Sequence, residues 1–121
     1  MACHHRGRVK DLKLKANEIR RDVVEMVYRA NSGHPGGSLS CADVVAALYF
    51  AVLRLDPKRP DWPDRDRFIM SKGHACPTWY AALAQRGFFP REELWTLRQY
   101  QSILQGHPDM KKTPGVDMTS G

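Results

Sequence analysis

A mostly helical chain, with four helices and at most one strand, is the fold that the amino-acid sequence predicts. Three observations carry that prediction. An apolar stripe recurs at steps of three and four along residues 11–30, an uninterrupted apolar run fills 44–53, and two further segments open on Pro77 and Pro90. Such an inventory is unusual for a self-sufficient domain, so the chain is expected to be part of a larger fold, incomplete by itself. Its 121 residues leave room for one domain.

The first ten residues are basic and lack a periodic apolar face, so 1–10 is expected to be a flexible arm and 11–121 the folded region. From Asp11, apolar residues fall at Leu12, Ala16, Ile19, Val23, Met26 or Val27, and Ala30, the pattern of an amphipathic helix. Asn31-Ser32-Gly33 supplies a stop, and Pro35-Gly36-Gly37 predicts irregular chain. Ser40 followed by Asp43 is a variant of the capping pattern that opens a helix. The run from Val44 to Leu53 is apolar on every side and predicts a helix buried all round, covered in part by something beyond this chain. A proline-punctuated loop follows, and Arg67 to Ser71 reads as one short strand. Pro77 to Arg86 is a helix with Gly87 just past its end, and Pro90 opens another with Glu92 and Glu93 in the first turn.

Composition narrows the function classes. At 42% apolar and 26% charged residues the chain is neither disordered nor fibrous. A net charge of +6 permits an anionic partner without demanding one. Three cysteines without a C-x-x-C spacing argue against a disulfide framework and for a reducing, cytoplasmic setting. The longest apolar run is too short to span a bilayer, and the N-terminus is not a secretory signal, so no membrane partner is expected. Arg6, Arg8, Lys10, Lys13 and Lys15 form a basic start with no interleaved aromatics, which reads as a solvated helix entrance, and no nucleic-acid partner is expected. Cys41 and Cys76 fall near helix starts, where a thiolate can be stabilised, although inert packing is the plainer reading.

The sharpest local signal is the repeated dipeptide Gly33-His34, Gly73-His74 and Gly106-His107. Each pair lies between predicted elements, where glycine lets backbone approach a ligand, and Pro35 and Pro108 stiffen two of the three loops. Imidazole donates, accepts, ligates and titrates near neutral pH, so three converging on one pocket could do acid–base work. Histidines that merely sit beside turn glycines remain an equal alternative. Zinc is a further one, but nothing resembles H-E-x-x-H or a paired-cysteine site, and no metal ligands are assigned.

Taken together, Ser32-Gly33-His34-Pro35-Gly36-Gly37-Ser38-Leu39-Ser40, Asp66 to His74, Gln105-Gly106-His107-Pro108-Asp109 and Thr113 to Gly121 resemble, in order and spacing, the N-terminal part of transketolase, a thiamine diphosphate enzyme. The likeness runs from about Leu12 to the last residue. Gly37-Ser38-Leu39-Ser40 and Ser71-Lys72-Gly73-His74 are more similar to the split type, in which two polypeptides make one enzyme. Deoxyxylulose-phosphate synthase is a relative whose corresponding segment usually continues Gly-His-Gln, whereas here it is Gly73-His74-Ala75.

That resemblance implies an α/β fold, a parallel sheet flanked by helices, of which this is the mostly helical N-terminal part and incomplete. It implies transfer of a two-carbon ketol unit between sugar phosphates, in carbohydrate metabolism of the pentose phosphate kind, with thiamine diphosphate and magnesium. By the same resemblance His34 would be catalytic and touch substrate, His107 would be catalytic and bind the donor sugar, and His74 would contact the cofactor near its diphosphate. Gly121 would bind the cofactor, the sequence stopping just before the glycine-rich turn that wraps the aminopyrimidine. The family's Gly-Asp-Gly segment and later Asn, which bind magnesium, do not occur here, so the metal site is expected beyond this chain. A C-terminal transketolase subunit or domain would supply the activating glutamate, in an oligomeric enzyme. The isolated chain is expected to be inactive, and a non-catalytic truncated remnant is the competing reading.

Overall fold

The computed structural model describes residues 5–31, 33 and 35–120. Helix α1 (His5–Ala30) is the long outer element. Its buried residues Ala16, Ile19, Val23 and Met26 are the stripe read from the sequence. The helix begins at His5 rather than Asp11, and Arg8 donates to the carbonyl of Ala51 at 3.2 Å, so basic side chains here do local work.

A short helix, α2 (Pro35–Ser40), occupies the stretch where irregular chain is expected. Proline suits the first helical position because its missing N–H would have no partner there. Next comes α3 (Ala42–Ala47), continued by a wider π-type turn over Leu48–Val52. Ser40 does not cap α3. Cys41 occupies the cap position, no side chain caps the helix, and the Ser40 hydroxyl instead turns back to the carbonyl of Gly37 at 2.9 Å. Within this chain the helix is covered on one side, as expected if something beyond it completes the burial: Val45, Ala46 and Tyr49 face the core, while Val44 and Val52 are each 62% exposed.

The helix that is surrounded is α4 (Cys76–Arg86), in which every residue from Cys76 to Ala84 is buried. Its alanines at 81, 82 and 84 leave little between the backbone and its neighbours, so α1, α2 and α3 all close onto it. Trp79 and Tyr80 fill the remaining volume, with Phe68 edge-on between the rings of Trp79 and Tyr49. At the far end Gly87 takes a left-handed conformation (φ 102°), its N–H reaching the carbonyl of Ala84 while that of Phe88 reaches Leu83, and the helix stops as its glycine predicts.

Two further expectations give way. After Pro90 the chain makes a 3-10 segment (Arg91–Thr96), not an α-helix. The Thr96 hydroxyl donates back to the carbonyl of Glu93 at 2.7 Å, and Leu97 leaves helical geometry at once. Arg67 to Ser71 forms no strand, and no strand occurs among the described residues. A strand needs a neighbour to complete its ladder. Here the N–H of Phe68 goes to the Asp117 carboxylate at 2.8 Å, which also receives Arg65 at 3.0 Å. Asp117 thereby ties the closing segment of the chain to residues 65–68, and Ser120 adds a hydrogen bond to the carbonyl of Met70 at 2.6 Å.

Asp22, on α1, is buried and charged. It accepts from Gln85 Nε2 of α4 at 2.9 Å and from Arg91 of the 3-10 segment, and so joins three elements. Among the described residues no helix is long and apolar enough to cross a membrane.

Candidate functional site

The N-terminal end of α4 carries two of the three glycine–histidine segments, those of His74 and His107. Gly73–Ala75 forms a single 3-10 turn leading into α4, with Gly73 and Ala75 buried and His74 exposed between them. A buried flank on each side fixes the backbone while the imidazole stays in solvent, which suits a ligand-facing group.

Residues 105–106 dock on the first turn of α4. The Cys76 thiol donates to the carbonyl of Gly106 at 3.1 Å, and the Tyr80 hydroxyl donates to that of Gln105 at 2.7 Å. His107 follows immediately and is exposed, whereas Pro108 is buried. Burial pushes the Cys76 thiol up to about 11 and raises the Tyr80 phenol as well, so both remain protonated donors at neutral pH. Cys76 therefore holds a loop in place instead of acting as a nucleophile, and Cys41 is likewise a free, half-buried cysteine.

The first glycine–histidine pair arrives through α2. His34 lies outside the described residues, as does Gly121. Gly33, beside it, has φ 111° and lies near Val27 of α1; Pro35, on its other side, opens α2. The opposite end of α2 rests on the Lys72–His74 turn. A Cβ on Gly37 would come within 3.3 Å of both His74 Nε2 and Lys72 Cε, tighter than ordinary contact, so glycine is what lets the imidazole lie so close. Lys72 Nζ donates to the Gly37 carbonyl at 3.0 Å and to Ser40 Oγ at 3.2 Å. Thr78, in α4, hydrogen-bonds the carbonyl of Ser38, whose own buried hydroxyl has no partner among the described residues. The bonds from Lys72 to α2, and the need for glycine at 37, were not legible in the sequence; the paired glycines at 36 and 37 and a lysine next to Gly73-His74, which reads equally as a phosphate neutraliser or an exposed turn residue, were the available signal.

The His74 and His107 segments thus share one end of α4, and α2 carries the chain next to His34 towards the same turn. Exposed imidazoles there suit hydrogen bonds to phosphate oxygens and sugar hydroxyls. Among the described residues no group of three or more His, Cys, Asp and Glu side chains is arranged to hold a metal ion. Trp79 is core, while Trp95 stacks under the guanidinium groups of Arg29 and Arg91 at 4.8 and 5.2 Å.

The family described as "Transketolase, thiamine diphosphate binding domain" matches residues 12–121. The chain belongs to the transketolase family. It is 50% identical over 111 residues to the 6-deoxy-6-sulfo-D-fructose transketolase subunit SqwG of Clostridium sp. (strain MSTE9), covering 92% of this chain and 40% of that subunit. To one of the subunits of the apulose-4-phosphate transketolase of Phocaeicola vulgatus it is 44% identical over 113 residues, covering 93% and 40%. The backbone matches the transketolase of Leishmania mexicana with a TM-score of 0.87 and 40% identity, over 91% of this chain and 17% of that one. The chain therefore spans about 40% of the length of the two transketolase subunits. Its fold is the mostly helical N-terminal part of the α/β thiamine diphosphate-binding fold, as the resemblance implied.

Proposed function

We propose that this chain is part of the cofactor-binding half of a split transketolase, which moves a two-carbon ketol unit from a ketose phosphate to an aldose phosphate. The match to two proteins named as transketolase subunits, across more than nine-tenths of this chain, carries the reading. Thiamine diphosphate, when bound, supplies the electron sink for breaking and making the carbon–carbon bond. The side chains here do the positioning and the proton movement. His74, exposed on its turn, would contact the cofactor near its diphosphate. His107 orients the donor sugar through its hydroxyl groups. His34 takes a proton from a substrate hydroxyl oxygen and returns it. Gly121 would be a further contact to the cofactor.

Magnesium belongs to the same proposal, held by ligands outside this chain, because the family's Gly-Asp-Gly segment and later Asn do not occur in it. A C-terminal subunit or domain completes the site, in an oligomer. The free thiols Cys41 and Cys76 favour a cytoplasmic setting. The test is a coupled ketol-transfer assay of the assembled protein with thiamine diphosphate, magnesium and a panel of ketose phosphates. His34→Ala is expected to lower turnover by roughly 10²–10⁴-fold. An unchanged rate would remove His34 from the mechanism, and no transfer from any donor by the native sequence would overturn the functional reading.

A further inference from the structure

We propose that Lys72 is a positioning residue: from outside α2 it caps that helix and latches it, with the His34 segment attached, onto the His74 turn. The inference rests on the transketolase reading for its kinetic consequence, but its structural half stands apart from it.

The last carbonyls of any helix lack intrahelical partners and must find donors elsewhere. In α2 the Gly37 carbonyl finds two strong ones, Lys72 Nζ at 3.0 Å and Ser40 Oγ at 2.9 Å, and the same ammonium also donates to Ser40 Oγ at 3.2 Å. The three groups close a triangle. A cation near helix C-terminal carbonyls is favourable on charge grounds as well. No Cβ at Gly37 intervenes, so the lysine stem and the His74 ring both lie against α2 backbone. Since Pro35 directly follows His34, whatever fixes α2 fixes the anchor point of that residue. Six helical residues do not hold themselves in place. Thr78 reaches Ser38 from α4, and Lys72 is the side chain that ties α2 to the His74 turn itself.

Two measurements on the protein in its native assembly decide it. In hydrogen–deuterium exchange, Lys72→Met should speed exchange of peptides covering 35–42 by about tenfold while leaving α4 peptides unchanged, and Lys72→Arg should keep the native protection. Ser40→Ala, a milder change, should give a smaller loss in the same peptides. In the ketol-transfer assay, Lys72→Met should lower turnover by about tenfold in the native sequence but hardly at all in the His34→Ala background, because a residue acting through another has nothing left to act on. Unchanged exchange over 35–42 would overturn the latch. Equal losses in both backgrounds would overturn the positioning role, as would a fall in thiamine diphosphate affinity with α2 protection intact, which would make Lys72 a cofactor ligand instead. If the native assembly transfers no ketol unit, the proposed function fails, and exchange alone still decides the latch.

Discussion

Removing Arg91 should harm the fold more than removing the carboxylate it serves. Asp22 is 2% exposed, whereas the Arg91 side chain is 60% exposed and lies on the outer side of the pair. Arg91→Ala strands a buried negative charge with Gln85 as its remaining described donor, a change that generally costs about 3–5 kcal/mol. The lower end of that range applies, because water can enter where the guanidinium was. Asp22→Ala instead frees an arginine that is already largely solvated and leaves Gln85 Nε2 without its described acceptor, losing charge-assisted hydrogen bonds worth about 1.5–3 kcal/mol. The double variant should then be more stable than Arg91→Ala alone. Chemical denaturation of the native assembly, followed by fluorescence of buried Trp79 and of Trp95 beside Arg91, measures all three. With Arg91→Ala near the lower end, about 3 kcal/mol, the gap between the two single variants is expected to be up to about 1.5 kcal/mol. If Asp22→Ala proved as damaging as Arg91→Ala, or if the two losses simply summed, the desolvated-charge argument would be wrong.

Gly115→Ala should destabilise by about 2–4 kcal/mol, because the residue has φ 91° and the new Cβ would fall 2.6 Å from Leu83 Cδ2 and 2.8 Å from Phe88; a melting temperature within one degree of the native value would contradict this. Cys76, with its thiol pushed up to about 11, holds almost no thiolate at pH 7.5, so Ellman's reagent should label it only after denaturation. Prompt native-state labelling at that position would refute the reading. The isolated chain should not bind thiamine diphosphate in the micromolar range, since its sequence lacks the Gly-Asp-Gly segment through which the family holds magnesium and diphosphate; calorimetric titration reads the answer directly.

Periodic features were legible in the sequence and tertiary ones were not. The buried face of α1 and the span of α4 follow from local spacing, proline and glycine alone. Which apolar helix lies at the centre did not: Val44 to Leu53 is the more apolar, yet α4 is the more enclosed, because α1, α2 and α3 all pack onto it, a placement that local pattern does not reveal. Pro35-Gly36-Gly37 looked like a breaker and became α2, whose carbonyls are satisfied by Lys72 and Thr78 from far along the chain. Arg67 to Ser71 lacked its ladder for the converse reason, since strand formation depends on a neighbour that composition does not reveal. The site divides the same way. Gly-His pairs advertised themselves as loops, whereas the bonds from Cys76 and Tyr80 that seat residues 105–106 join positions 25–30 apart and leave no mark on local pattern.

Enclosure of α4 has a mechanical consequence. A rod clasped along its whole length cannot easily shift on its own, and both the turn before it and the loop tethered to its first coil are carried at one tip. Fluctuations of the outer shell, the long α1 included, would then move those two imidazole-bearing segments together, preserving the spacing between them while the rest of the surface breathes.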